Sequence, residues 1–178
     1  MSLIDDYLIP FYGLKEGIHD YEFAAGDEFF KFFDNPDIHG GNLKVFLQLD
    51  RKTQFLELKF KLEGELRVTC DRCLEIFDHL VYSENELFVR FGDRLEEISD
   101  TVITIPHDET RLNVAQYIYE YSLLALPMQK IHPDNENGDP GCNVEMIKRL
   151  ENHSPEKEEK KSETDPRWDA LKKLKSKN

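Results

Sequence analysis

Leu43-Lys44-Val45-Phe46-Leu47-Gln48-Leu49-Asp50 and, after the polar break Asp50-Arg51-Lys52-Thr53, Leu56-Glu57-Leu58-Lys59-Phe60-Lys61-Leu62-Glu63 carry the clearest pattern in this chain. Every second residue is a large apolar one, and its neighbours are mostly polar. A period of two puts alternate side chains on opposite faces, so each stretch reads as a strand with one buried face, and the polar break as a hairpin connection. Gly64 interrupts the second run, and Leu66, Val68 and Cys70 resume its parity. Without a bulge at Gly64, Cys70 points to the side of the buried leucines; a one-residue bulge reverses it.

Upstream, Tyr7 to Phe23 mixes aromatic and aliphatic residues with Pro10, Gly13 and Gly17, and predicts two short strands and a turn. Gly26 to Phe33 reads as a short helix or a loop with aromatic anchors. Downstream, Leu80 to Phe91 predicts another strand or two, and Thr101 to Ile105 is a short β-branched run ending at Pro106. The period then changes. Leu112, Ala115, Tyr119, Ser122, Leu123 and Leu126 recur at helical spacing, with Asn113 as N-cap, Gln116 completing a capping box, and Pro127 as the stop. A second helix starts near Cys142-Asn143 and runs through Leu150. The expected fold is α+β: an antiparallel, partly barrel-like sheet in the N-terminal half, then helices. Residues 1–152 form one domain in this reading. Residues 153–164 are a charged flexible linker. Residues 165–178 form a short basic amphipathic helix, with Asp165 as N-cap and Pro166 at the first helical position.

The chain has 178 residues and a net charge of −13. Residues 151–178 carry eight Lys/Arg and seven Asp/Glu, leaving 15 and 29 in the first 150 residues, a net of −14. So acidic a body repels a phosphate backbone and suits a basic protein partner. No apolar run approaches a membrane span, and no secretory signal is read, so a cytoplasmic, reducing compartment is expected.

Two of the three cysteines lie in Cys70-Asp71-Arg72-Cys73. Thiolates at this spacing form a zinc half-site or a redox pair. His132 and Cys142 are the candidates to complete a closed three-Cys, one-His site, although nine residues between them is not a standard half-site spacing. A buried, unligated thiol pair is the plain alternative. A thiol oxidoreductase is disfavoured because the pair sits among antiparallel strands rather than at a helix N-terminus. The loop Asp134 to Asp139 fails as a calcium loop, since its glycine register puts Pro133 at the first ligand position.

Val68-Thr69-Cys70-Asp71-Arg72-Cys73-Leu74-Glu75, Asn113 to Pro127 with Glu120 at its acidic position, Cys142-Asn143, and Asp165-Pro166-Arg167-Trp168 with Leu171 and Leu174 together resemble the YceD-like family, the large ribosomal RNA subunit accumulation proteins. The resemblance covers roughly Leu43 to Leu174. It implies a bacterial, cytoplasmic, non-catalytic factor needed for accumulation of large-subunit ribosomal RNA, hence for ribosome biogenesis. The implied partners are a large-subunit precursor or a basic ribosomal protein, with local RNA contact through the basic C-terminal helix. Arg72, Glu120, Arg167, Trp168, Lys172, Lys173 and Lys175 are the candidate contact residues. Many family members carry a second Cys-x-x-Cys after the Leu-Pro, where this chain keeps Cys142 alone with His132 nearby. Either His132 substitutes as a ligand or this branch lacks the metal.

Overall fold

In the computed structural model, residues 3–134, 138 and 141–153 are described. The predicted linker beyond His153, which ends a helix, and the basic C-terminal helix, with Arg167, Trp168, Lys172, Lys173 and Lys175, lie outside them. The chain forms two compact units, Met1–Cys142 and Asn143–Asn178.

In the first unit, a 3-10 turn (Leu3–Tyr7) leads into β1 (Leu8–Pro10), β2 (Gly17–Ala25), α1 (Asp27–Phe32), β3 (Ile38–Arg51), β4 (Phe55–Thr69), β5 (Ile76–Gly92), β6 (Glu96–Ser99), β7 (Val102–Pro106), β8 (Arg111–Asn113) and α2 (Ala115–Leu124). The α+β class is as expected. Strands β2 to β7 make one six-stranded sheet in the order β2-β3-β4-β5-β7-β6, and β1 pairs separately with β8. The expected partial barrel is instead an open sheet, because β2 and β6 end it and the N-terminal strand joins β8. All its pairings are antiparallel except β5 with β7.

The alternating residues do what their period requires. Leu43, Val45, Leu47 and Leu49 on β3 are buried, and so are Leu56, Leu58, Phe60 and Leu62 on β4. Each such side chain stabilises the fold by about 1.5–3 kcal/mol relative to exposure. Ile118 and Tyr121 of α2, Phe29 and Phe30 of α1, and Val89 and Ile103 join this core. The opposite face is polar, with Lys59, Lys61, Glu84 and Glu86 in cross-strand register.

Pairing runs unbroken through Gly64, which faces Leu43 on β3 and Val81 on β5. It is therefore no bulge, and the parity carries Cys70 to the leucine side, where it is fully buried. Glycine is required here for another reason. At φ +148°, a Cβ on Gly64 would sit 2.2 Å from the Asn42 carbonyl oxygen.

α2 begins later than the capping pattern suggests. Its N-cap is Val114, without a side-chain cap. Asn113 Oδ1 accepts the Ala115 N–H at 2.9 Å instead, and Gln116 reaches forward to Glu120 at 2.8 Å. In the second unit, α3 (Val144–His153) starts where Asn143 Oδ1 accepts the Glu145 N–H at 2.9 Å.

Candidate metal centre

The β4–β5 connection is a tight knuckle. The Leu74 N–H bonds the Cys70 carbonyl at 2.9 Å, and the Cys70 N–H bonds the Glu75 carbonyl at 2.8 Å. Closing it requires Leu74 at φ 63°, a left-handed conformation unusual for a branched residue. Folding the chain so tightly turns both cysteine sulfurs inward, where Cys70 and Cys73 are buried.

The other two candidates reach the knuckle from the segment after α2. Asp71 holds that segment at Lys130. The Asp71 N–H donates to the Lys130 carbonyl at 2.7 Å, and the Lys130 N–H donates to Asp71 Oδ2 at 2.6 Å. Two residues on, His132 stacks on Phe77 of β5, with ring centroids 4.4 Å apart. Gly141 lets the chain return, since a Cβ there would lie 2.3 Å from the Pro133 carbonyl oxygen. Cys142, 4% exposed, follows directly.

The four ligand atoms of Cys70, Cys73, His132 and Cys142 lie within 4.8 Å of one another. Cys70 Sγ is 3.8 Å from Cys142 Sγ, and His132 Nδ1 is 3.4 Å from Cys73 Sγ and 3.8 Å from Cys142 Sγ. A tetrahedral zinc ion, with Zn–S near 2.3 Å and Zn–N near 2.0–2.1 Å, sets sulfurs about 3.8 Å apart and nitrogen about 3.5–3.6 Å from sulfur. The donor set and its spacing therefore fit such an ion, and four protein donors leave no open position for a substrate.

The electrostatics fit as well. Burial pushes the Cys70 thiol up, but the Cys73, Arg72 and His132 N–H groups and the His132 side chain bring it down to about 6. Burial raises Cys142, and its sulfur neighbours Cys70 and Cys73 raise it further. A divalent cation at this position would favour the thiolate form of both. All three cysteines are free thiols.

Of the other candidate residues, Arg72 is exposed at the knuckle, between the two cysteines. Glu120 is half-buried on α2, is not one of the four clustered residues, and accepts from Gln116. The supports that sequence reasoning missed are Asp71, Lys130 and Phe77. Two of these contacts use main-chain groups, which leave no mark in a sequence.

No helix among the described residues is long and apolar enough to cross a membrane. No curated protein and no solved structure matches the chain. Residues 58–175 match the family described as large ribosomal RNA subunit accumulation protein YceD. That span starts inside β4, contains all four clustered residues and extends into the basic C-terminal segment. The chain belongs to the YceD family of large ribosomal RNA subunit accumulation proteins.

Proposed function

We propose that this protein is a non-catalytic factor required for accumulation of large-subunit ribosomal RNA, and that its cysteine–histidine cluster holds a structural zinc ion. The family match over residues 58–175 carries the first part. The tetrahedral spacing of Cys70, Cys73, His132 and Cys142 supports the second. Zinc bound by three thiolates and an imidazole would staple the knuckle to the chain after α2 without offering an open coordination position. The body acts as an interaction module in the cytoplasm of a bacterium. Its net charge of −14 over the first 150 residues suits a basic ribosomal protein and disfavours broad contact with RNA. The five Lys/Arg of residues 165–178 are the local exception and the segment for any RNA contact.

A thiol oxidoreductase is the competing reading, favoured only by the low-lying Cys70 thiol. Its pair joins two antiparallel strands, and its sulfurs are buried. The test of the leading role is the ribosome and rRNA profile of a strain lacking the gene. Loss of mature large-subunit rRNA, restored by the wild-type chain, is the expected result. An unchanged profile removes the role.

A further inference from the structure

Strand β5 is 17 residues long, yet β7 covers its outer edge only from Phe88 to Gly92. Among the described residues, no strand pairs with that edge between Ile76 and Leu87, and no backbone hydrogen bond is made to it. The direction of its donors can be read from Phe88, whose N–H bonds the Thr101 carbonyl on the β7 side at 2.8 Å. Backbone direction alternates along a strand, so the N–H and C=O groups of Leu80, Tyr82, Glu84 and Glu86 face the same open edge. An uncovered edge of this length is a template for an added strand. Leu80 is 75% exposed and Tyr82 59%, so the edge also offers apolar contact.

A cavity of about 600 Å³ opens at the β6–β7 turn, whose Thr101 carbonyl takes the Phe88 N–H at the end of the covered stretch of β5. It is lined by Ser99 and Asp100, just before β7 begins, and by Glu97, Tyr117, Glu120 and Tyr121. Its charged lining residues are all carboxylates. Tyr121 is 6% exposed, and its hydroxyl has no hydrogen-bond partner among the described residues. Burial pushes the Tyr117 hydroxyl up to about 12, with Glu97 and Glu120 adding to the rise. Three carboxylates and two tyrosine rings suit the head of a lysine or arginine.

We infer that the open edge of β5 and the adjoining acidic cavity form one docking surface for an extended, Lys/Arg-rich protein segment, which adds as a strand along Ile76–Leu87 and seats a cationic side chain among Glu97, Asp100 and Glu120. The inference rests on the reading of this chain as a factor that meets a basic protein, and it names the surface. Charge complementarity selects the occupant. Asp78, Glu84 and Glu86 on the uncovered stretch of β5 are acidic, and that stretch carries no Lys or Arg. The same charges oppose pairing with a second copy of β5 and repel a nucleic-acid backbone. Chain addition at an edge takes its affinity from the main chain and its selectivity from alternate side chains.

The test uses the full-length chain and a labelled peptide of alternating arginine and valine, with a glutamate-for-arginine peptide as control. Binding of the basic peptide alone is expected, with slowed amide exchange at Leu80, Tyr82 and Glu84. The combined Glu97→Gln, Asp100→Asn, Glu120→Gln variant is expected to weaken it about tenfold or more. Leu80→Pro deletes an edge donor while sparing the ladder to β4, and should weaken it without unfolding the sheet. The inference is overturned by no binding, by binding that leaves those amides unprotected, or by binding insensitive to both variants. It is likewise overturned if the edge is already covered in a dimer, or if single-stranded RNA protects the same amides in place of the peptide. A normal rRNA profile in the deletion strain would remove the assembly role while leaving a measured peptide site intact, so the two failures are separable.

Discussion

Cys70 Sγ lies 3.8 Å from Cys142 Sγ although 72 residues separate them in the chain. The contact is built from both sides. The unbroken parity of β4 brings Cys70 inward, and the Asp71–Lys130 bonds with the turn at Gly141 return Cys142 to it. Both thiols lie outside the hydrophobic core that the buried leucines of β3 and β4 form.

Metal removal should therefore act locally. Protein purified without chelator is expected to carry about one zinc per chain, with Cys142→Ser losing it, as measured by elemental analysis. Chelation should speed amide exchange in the knuckle and in residues 127–134, while the exchange of Leu47, Leu58 and Leu62 stays slow. Absence of zinc, together with unchanged stability of Cys70→Ser, would remove the metal reading.

Gly64→Ala tests the close approach of β3 to β4. The added methyl would meet the Asn42 carbonyl oxygen, and the residue would be held at φ +148°. Both effects strain the backbone, and a loss of roughly 1–3 kcal/mol in denaturant unfolding is expected. Gly13→Ala is the control, because nothing lies within 4 Å of its added Cβ. If the two variants were equally stable, the tight crossing at Gly64 would be wrong.

The sheet was legible because its period is two and its polar breaks are short; Leu43 to Leu62 admits no helical reading. Cys70's side followed from the same parity once Gly64 proved to be paired rather than bulged. The parallel pairing of β5 with β7 was hidden, since Val102 to Ile105 is apolar enough to pair in either direction. The ligand set was legible as residue types, and His132 and Cys142 do meet the Cys70–Cys73 pair. What aligns them was not. Main-chain bonds between Asp71 and Lys130, and the stacking of His132 on Phe77, have no spacing rule. The cavity beside Glu120 was equally silent, because Glu97 and Asp100 join it only through the turn into β7.

Asp27 supplies the clearest pH dependence. Its Oδ1 accepts the Gly41 N–H at 3.0 Å, and Arg67 lies 3.5 Å from Oδ2. The Gly41 N–H first, then the Arg67 charge, hold its carboxyl below the ordinary value of 3.8. A depressed folded value gives stability that is present above the unfolded value and lost as pH falls through the folded one. Wild type should therefore be more stable than Asp27→Asn at neutral pH, with the difference closing below about pH 4. Asparagine keeps an acceptor for Gly41, so the comparison isolates the charge. Denaturant unfolding across pH 2–7 measures it, and a gap that persists at the acid end would refute the linkage.

Asp71 should control metal affinity without touching the metal. Its carboxylate accepts the Lys130 N–H at 2.6 Å, and the Lys130 ammonium lies 3.9 Å from its other oxygen. His132 is two residues beyond, so loosening Lys130 frees the imidazole to drift from the sulfurs. Outer contacts of this kind are worth about 10–100-fold in affinity when lost. Asp71→Ala should weaken zinc binding by that factor in a competition titration against a chromogenic chelator. Asp71→Asn keeps a neutral acceptor for the Lys130 N–H and should recover much of the loss, whereas a purely electrostatic role would leave Asn as weak as Ala. Core stability should change little in either variant, because the Asp71 side chain is 43% exposed and lies outside the leucine core. Wild-type zinc affinity in Asp71→Ala would mean that the main-chain bond from residue 71 to the Lys130 carbonyl and the Phe77 stacking suffice to position His132.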